Sequence, residues 1–415
     1  MSDARDETFS DISNSYSENS GDSFTETTTK SWFERIKEAI VGIGIGFVLL
    51  ALGIGGLFWN EGRAVQTARS LAEGGSAVVS VESNRVDPSN DGKLIHVTGP
   101  VKTTAPLADP EFGVSVMGLR LIRHVEMYQW KEEKREEKRK NLGGSEETVT
   151  TYSYKRDWDN RPVDSSRFRQ ADGHRNPEMR HKERDIVATD ATVGAFKAGD
   201  QVLRQISASD ALVLDGQLVT DVRARLKELG SVTAERIYLG ADPSNPRVGD
   251  MRVTYTIARP SDISVVGQQS GGGFTSYQAK AGDRLLMATA GQKSAAEMFK
   301  AAEQLNTLIT WLVRTLGTLG LLIGFMLILR PLAVLGDVVP FIGSIIGAGT
   351  GLVALLLTAI VAPIVIAFAW FFYRPLTAII VLIVGAGVAY GIKVLASRRA
   401  ASRSAPAAMP APSAA

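Results

Sequence analysis

Four apolar stretches stand out of an otherwise polar chain: Ala39–Trp59, then Leu305–Leu329, Phe341–Phe372 and Leu376–Leu395. About 20 helical residues at ~1.5 Å rise cross a ~30 Å hydrocarbon core. Backbone amides in lipid must be paired within their own segment, so each stretch is expected to be helical. The pattern predicts a membrane protein with four transmembrane α-helices, one N-terminal and three C-terminal. A large α+β extracytoplasmic domain is expected between helices 1 and 2. The predicted divisions are a disordered acidic tail over 1–30, helix 1 over 31–60, the α+β domain over 61–304, helix 2 over 305–330, helix 3 over 341–372, helix 4 over 375–396 and a disordered cytoplasmic tail over 397–415.

Inside the polar interval the periodicity changes. Glu61–Glu73 continues the first helix beyond the membrane, and Lys93–Gly99 is a strand candidate. Leu119–Trp130 alternates, with Leu119, Leu121, Arg123, Val125 and Met127 on one face and Arg120, Ile122, His124, Glu126, Tyr128 and Trp130 on the other. Thr148–Trp158 is its expected hairpin partner, with Lys131–Lys140 and Asn141-Leu142-Gly143-Gly144 forming a charged tip and turn. Leu203–Leu229 has helical spacing. Strands are expected at Ala234–Leu239, Met251–Ala258, Ile263–Gln268, Phe274–Ala279 and Arg284–Ala288. A helix over Ser294–Asn306 should run unbroken into the second span.

Charge then sets an orientation. Lys393, Arg398, Arg399 and Arg403 follow the last span against Arg374 before it, and cytoplasmic flanks are enriched in Lys and Arg. Both tails are therefore expected in the cytoplasm and residues 60–304 on the far side. The first span follows about 38 polar residues and ends in Leu57-Phe58-Trp59-Asn60-Glu61, which fits a retained anchor rather than a cleaved signal. A formal net charge of +2 with no basic face excludes a nucleic-acid partner. The chain has no cysteine, which excludes disulfides and thiolate chemistry.

The spans are rich in glycine. Gly42/Gly46, Gly343/Gly347, Gly347/Gly351 and Gly387/Gly391 have the spacing that lets helix backbones approach, within the chain or between copies. The 32-residue third stretch exceeds one upright crossing, so its Gly-rich start is expected to be tilted or re-entrant, with Pro363 bending the rest. Arg314 is expected to snorkel from the second span towards the far interface. The spans lack carboxylates, which opposes a proton-coupled carrier.

No GxSxG, P-loop, HExxH or strand-linked GxGxxG occurs, and neither a cofactor nor a metal is expected. Asp172-Gly173-His174-Arg175-Asn176-Pro177 reads first as a surface turn, and Gly271-Gly272-Gly273 as a hairpin turn. Asn60, Glu61, Gly62 and Arg63 stand where helix 1 leaves the bilayer. They are expected to dock on Phe372-Tyr373-Arg374-Pro375, with Glu61 near Arg374 or Arg63.

Several strings together resemble one family: Asn60-Glu61-Gly62-Arg63-Ala64, Ser70-Leu71-Ala72-Glu73-Gly74, Arg123-His124-Val125-Glu126-Met127-Tyr128-Gln129-Trp130, Tyr152-Ser153-Tyr154 with Trp158, Gly173-His174-Arg175-Asn176-Pro177, Val248-Gly249-Asp250-Met251-Arg252-Val253 and Phe372-Tyr373-Arg374-Pro375-Leu376. With one-plus-three spans around a large loop, the chain resembles the transmembrane protein 43 (LUMA) family over about residues 32–395. The resemblance implies cytosolic termini, a lumenal domain and oligomerisation. In eukaryotes it also implies the endoplasmic reticulum or inner nuclear membrane, with links to emerin and lamins. The Ala/Gly-rich, cysteine-free composition points to a bacterial relative, hence an inner membrane with a periplasmic domain. No catalytic residue transfers.

Three functions remain open. The first is a multi-pass scaffold whose extracytoplasmic domain binds membrane lipid, other membrane proteins or a second copy of itself. Its candidate interaction residues are Asn60, Glu61, Gly62, Arg63, Arg314, Arg374, His124, Glu126, Trp130 and His174. The second is an enzyme on lipid or envelope substrate, which requires His174, Asp172 and Glu126 to converge. The third is a transporter or channel subunit, which requires a polar pore.

Overall fold

The computed structural model describes residues 22–226 and 230–376, the backbone of Ser15–Glu18, and scattered helical positions between 379 and 393. Three long helices organise it: α1 (Trp32–Ala77), α4 (Ala295–Gly336) and α5 (Pro340–Tyr373). Two short ones, α2 (Asp200–Leu203) and α3 (Gly216–Arg225), belong to the β-rich body between them. The three long helices are each long and apolar enough to cross a membrane. The expected fourth span, Leu376–Leu395, falls largely outside the described residues, as do 1–14 and the C-terminal tail.

α1 begins at Ser31, whose side chain accepts the Glu34 amide. It then runs through the apolar stretch and on into the body without a break. α4 starts at a capping box, Ser294 with Glu297, and enters the membrane from the body side, as the sequence predicts. Small residues let α1 and α4 cross closely. A Cβ on Gly46 would stand 2.7 Å from the Gly324 carbonyl, and one on Gly317 would stand 2.8 Å from the Leu57 side chain. Gly53 faces Leu321 in the same seam. The glycine spacing in this seam therefore serves packing within the chain. α5 returns beside them as one continuous helix, so the Gly-rich start of the third stretch is helical from Pro340 onward.

The body is built on two sheets. One is nine-stranded and centred on the neighbouring strands Met251–Ala258, Arg120–Lys140 and Glu146–Asp159. The other is seven-stranded and centred on Leu94–Lys102 paired with Asp262–Ser270. Their inward faces share a core that includes Ile95, Val97, Leu121, Val125, Met127, Val253, Ile257 and Val265. Residues Leu121 through Gln129 alternate buried and half-buried, the predicted period of two.

Three expectations change here. Lys131–Lys140 is not a loop at a hairpin tip but continued strand, paired residue for residue as far as Lys140 with Glu146. Ser23–Lys30, expected within a disordered tail, is a strand along Glu146–Ser153, because that hairpin offers an edge for its Thr-rich, β-favouring side chains. Leu203–Leu229 is not one helix. α2 and α3 are separated by the strand Asp210–Ala211, and the apolar residues Leu212 and Leu214 pack into the sheet core instead.

The long hairpin and Ser23–Lys30 form an arm that leaves the body and docks on the opposite end of the helix bundle. The Gly143 amide donates to the Val338 carbonyl at 3.1 Å. Arg35 donates to the Gly144 carbonyl and pairs with Asp337 at 2.5 Å, and Lys140 reaches the other Asp337 oxygen at 2.8 Å. Trp32 donates to the Val334 carbonyl. The arm carries exposed Lys, Arg and Glu along Glu133–Lys140. An open-edged charged sheet cannot lie in hydrocarbon, so acyl chains are excluded from the flank of the bundle that a docked arm occupies.

Candidate functional site at the body end of the helix bundle

Where α1 leaves its apolar stretch, the next four residues are Asn60-Glu61-Gly62-Arg63, and all four are built into helix contacts. The spacing of Asn306, Thr310 and Arg314 at four-residue steps puts them on the facing side of α4. Glu61 is 0 % exposed. Its two oxygens accept Arg314 Nε at 2.6 Å and Nη2 at 2.8 Å, and the second also accepts the Trp370 indole N–H at 2.8 Å. One carboxylate thus joins α1, α4 and α5. The Arg314 guanidinium lies over the Trp311 and Trp370 rings, 4.9 and 5.9 Å from their centroids.

Around this pair runs a layer of amide and hydroxyl groups. Asn60 donates to the Thr310 carbonyl, and Arg63 donates to Asn306 Oδ1 and Thr310 Oγ1, both at 3.0 Å. Asn306 donates to the Ala64 carbonyl. Gly62 faces the Tyr373 ring, which a Cβ would approach to 2.7 Å. Phe58 packs on Phe368, Phe372 and Tyr373. The expected docking of this segment on Phe372-Tyr373 is therefore present, but the ion partner of Glu61 is Arg314, not Arg63 or Arg374. Buried in a three-helix junction, Arg314 gains more from a bidentate carboxylate than from snorkelling.

The other candidates lie in the body and do not converge. His174 packs face to face with Tyr154 at 4.0 Å and edge-on against Trp130 at 4.7 Å, with its Nδ1 3.0 Å from the Gln170 carbonyl. Asn176 beside it satisfies the backbone of Trp130 in both directions, accepting its N–H at 2.7 Å and donating to its carbonyl at 3.0 Å. Glu126 instead pairs with Arg252 at 2.5 Å, His124 bonds Thr256, and Asp172 meets Arg175 on the exposed surface. The Asp172-to-Pro177 turn is a packing clip for the arm's base rather than a reactive triad. Beside it opens a cleft of about 930 Å³ lined in part by Pro162, Val163, Pro177 and Met179.

The body also holds a buried ionic knot: Asp109 accepts Arg123 at 2.8 Å and the Tyr255 hydroxyl at 2.8 Å, while Glu111 joins Arg123 and His181, each at 2.6 Å. Burial first, then the neighbouring carboxylate, pushes the Tyr255 hydroxyl far up. Arg123 on an otherwise apolar strand face was the readable signal for it, because an inward cation requires a buried acceptor.

A model of the transmembrane protein 43 family matches residues 127–375. The chain belongs to the transmembrane protein 43 family. Mouse transmembrane protein 43 is 32% identical over 369 residues, covering 86% of this chain and 90% of the mouse protein. The human protein is 31% identical over 362 residues, or 84% and 89% of the two chains. A Drosophila melanogaster homolog is 29% identical over 357 residues, or 82% and 91%. No solved structure matches. Two of the strings that carried the resemblance, Arg123–Trp130 and Gly173–Pro177, form one packing unit through Trp130, His174 and Asn176. Two others, Asn60–Ala64 and Phe372–Leu376, meet at the three-helix junction.

Proposed function

We propose that this family member is a multi-pass membrane scaffold whose body, on the extracytoplasmic side, associates with other membrane proteins or with a second copy of the chain. The observation that carries this reading is mechanical. α1 and α4 pass from the apolar layer into the body as continuous helices, and there Leu71, Leu94, Leu285, Met298 and Phe299 share one small core. Glu73 of α1 accepts the Tyr277 hydroxyl and the Lys280 amide, tying the helix to the second half of the body. A body held this way keeps a fixed attitude to the bilayer, as a platform for partners requires. The cleft beside Pro162 and Met179 supplies a concave, mostly apolar surface for them.

The orientation with both tails cytoplasmic, and residence in a bacterial inner membrane or a eukaryotic endomembrane, belong to the same proposal. The test is site-specific photocrosslinking from Ser166, on the cleft wall, in native membranes. Discrete adducts with one or a few proteins, or with the chain itself, support the scaffold. Recovery of monomer alone, at Ser166 and at control positions, rejects it. An enzymatic reading finds less support, since His174, Asp172 and Glu126 are each engaged separately.

A further inference from the structure

Beside the Glu61–Arg314 pair lies a cleft of about 410 Å³ at the body end of the apolar layer, between α1, α4 and the end of α5. Ala64 and Ala68 form its small-residue wall, Trp311 and Trp370 its aromatic sides, and Arg314 and Arg374 its cationic groups. Its position matches the depth at which lipid headgroups meet the acyl region, and tryptophan prefers that depth.

The charges around it are unequally committed. Arg314 is neutralised by Glu61. Arg63 is engaged through its terminal nitrogens, but its Nε is buried without a hydrogen-bond partner. The half-buried Arg374 guanidinium has no hydrogen-bond or ion-pair partner among the described residues; only its backbone amide is engaged, with the Trp370 carbonyl. Arg69 donates to the Tyr373 carbonyl beside Arg374, so Arg63, Arg69, Arg314 and Arg374 against Glu61 and Glu303 leave a surplus of positive charge around the cleft. A planar guanidinium free at a membrane interface is suited to bidentate capture of a phosphate. That surplus favours an anion such as a phosphodiester.

We propose that this cleft binds the phosphodiester of an anionic membrane lipid, with Arg374 as its principal ligand and Trp311 and Trp370 flanking the glycerol and upper acyl region. Towards the apolar layer the cleft-lining helix faces continue as Leu322 on α4 and Ile366 and Ala367 on α5, half-buried to exposed, and offer the acyl chains an apolar track. The lipid is favoured over a free anion because the cleft opens beside that track.

The full chain, purified in detergent and stripped of lipid, is titrated with phosphatidylglycerol, with diacylglycerol and with inorganic phosphate, following retained ligand by native mass spectrometry and thermal protection. Phosphatidylglycerol is expected to bind and protect. Arg374→Gln and the cleft-filling Ala68→Leu should each weaken it at least tenfold, with Arg374→Lys recovering part of the loss. Because neither substitution touches Glu61 or Arg314, the unliganded variants should melt close to the parent, which separates lost binding from lost folding. Equal binding of diacylglycerol, or unchanged phosphatidylglycerol binding in both Arg374→Gln and Ala68→Leu, would overturn the proposal. Protection by inorganic phosphate with none from lipid would overturn the assignment to lipid.

Discussion

Replacing Glu61 by Gln tests whether the three-helix junction is held by charge. The change keeps the shape and one acceptor oxygen, but leaves Arg314 in the same buried place without its counter-ion. Glu61 is fully enclosed, and the Arg314 side chain is 15% exposed. The attraction is therefore poorly screened, and removing one partner of such a pair costs about 3–5 kcal/mol. At the ~2 °C per kcal/mol expected of larger chains, the melting temperature should fall by roughly 6–10 °C. Arg314→Gln should cost a similar amount by stranding Glu61. The double variant should cost clearly less than the two losses added, because neither charge is then left alone. The assay is a double-mutant cycle on detergent-solubilised protein, read by intrinsic fluorescence; Trp311 and Trp370 report on the junction itself. Additive losses, or single losses below about 1 kcal/mol, would show that the pair is not buried together and would refute the geometry on which the junction rests.

Gly46→Val should push α1 off α4, since its first added carbon would meet the Gly324 carbonyl. Overpacking costs about 1–3 kcal/mol, whereas Gly44→Val, with open space around it, should be near neutral. Asn176→Ala removes hydrogen bonds to Trp130 N–H, Trp130 C=O and Val163 C=O and should cost about 2–3 kcal/mol, checked by thermal melting of the full chain. Asp185, which accepts Arg120 and Arg204, is held below its ordinary carboxylate pKa near 3.8, chiefly by the Arg120 hydrogen bonds. A lowered folded-state pKa contributes stability above the unfolded value and loses it as pH falls through the folded one. Asp185→Asn should thus melt lower than the parent at pH 7, with the gap narrowing as pH falls below the ordinary carboxylate range, and a gap that did not narrow in acid would sink this assignment.

Much of this architecture was legible where one periodicity dominates. The apolar stretches gave α1, α4 and α5, and the alternation from Leu119 to Trp130 gave both the strand and its buried face. The errors came where local signals were outvoted by tertiary pairing. Lys131–Lys140 has the charge of a loop, yet it is extended because Glu146–Lys155 pairs with it along one edge, and Ser23–Lys30 in turn pairs with the outer edge of that partner. Leu212 and Leu214 fit a helical spacing, but the sheet offered them a core. At the junction, the residue types and their four-step spacing were readable, while the identity of the partner of Glu61 was not. That choice depends on which turn of α4 faces α1, and the fit of Gly46 against Gly324 and Gly317 against Leu57 sets it. The Arg35–Asp337 contact joins residues remote in sequence, and neither flank alone carries a sign of the other.

The two ionic contacts have a joint consequence for where this protein is stable. Arg35–Asp337 and Glu61–Arg314 lie just outside the two ends of the apolar stretch Ala39–Trp59, which spans roughly 30 Å along α1 at ~1.5 Å per residue. Both pairs tie α1 to its neighbours, so the segment cannot shorten by sliding one helix along another. A bilayer thinner than this spacing leaves apolar side chains in water, and one much thicker drags fixed charges into hydrocarbon. Mismatch costs a fraction of a kcal/mol per ångström, which suffices to distribute proteins among membranes. The chain thus behaves as a gauge of fixed length, stable in membranes whose thickness matches it.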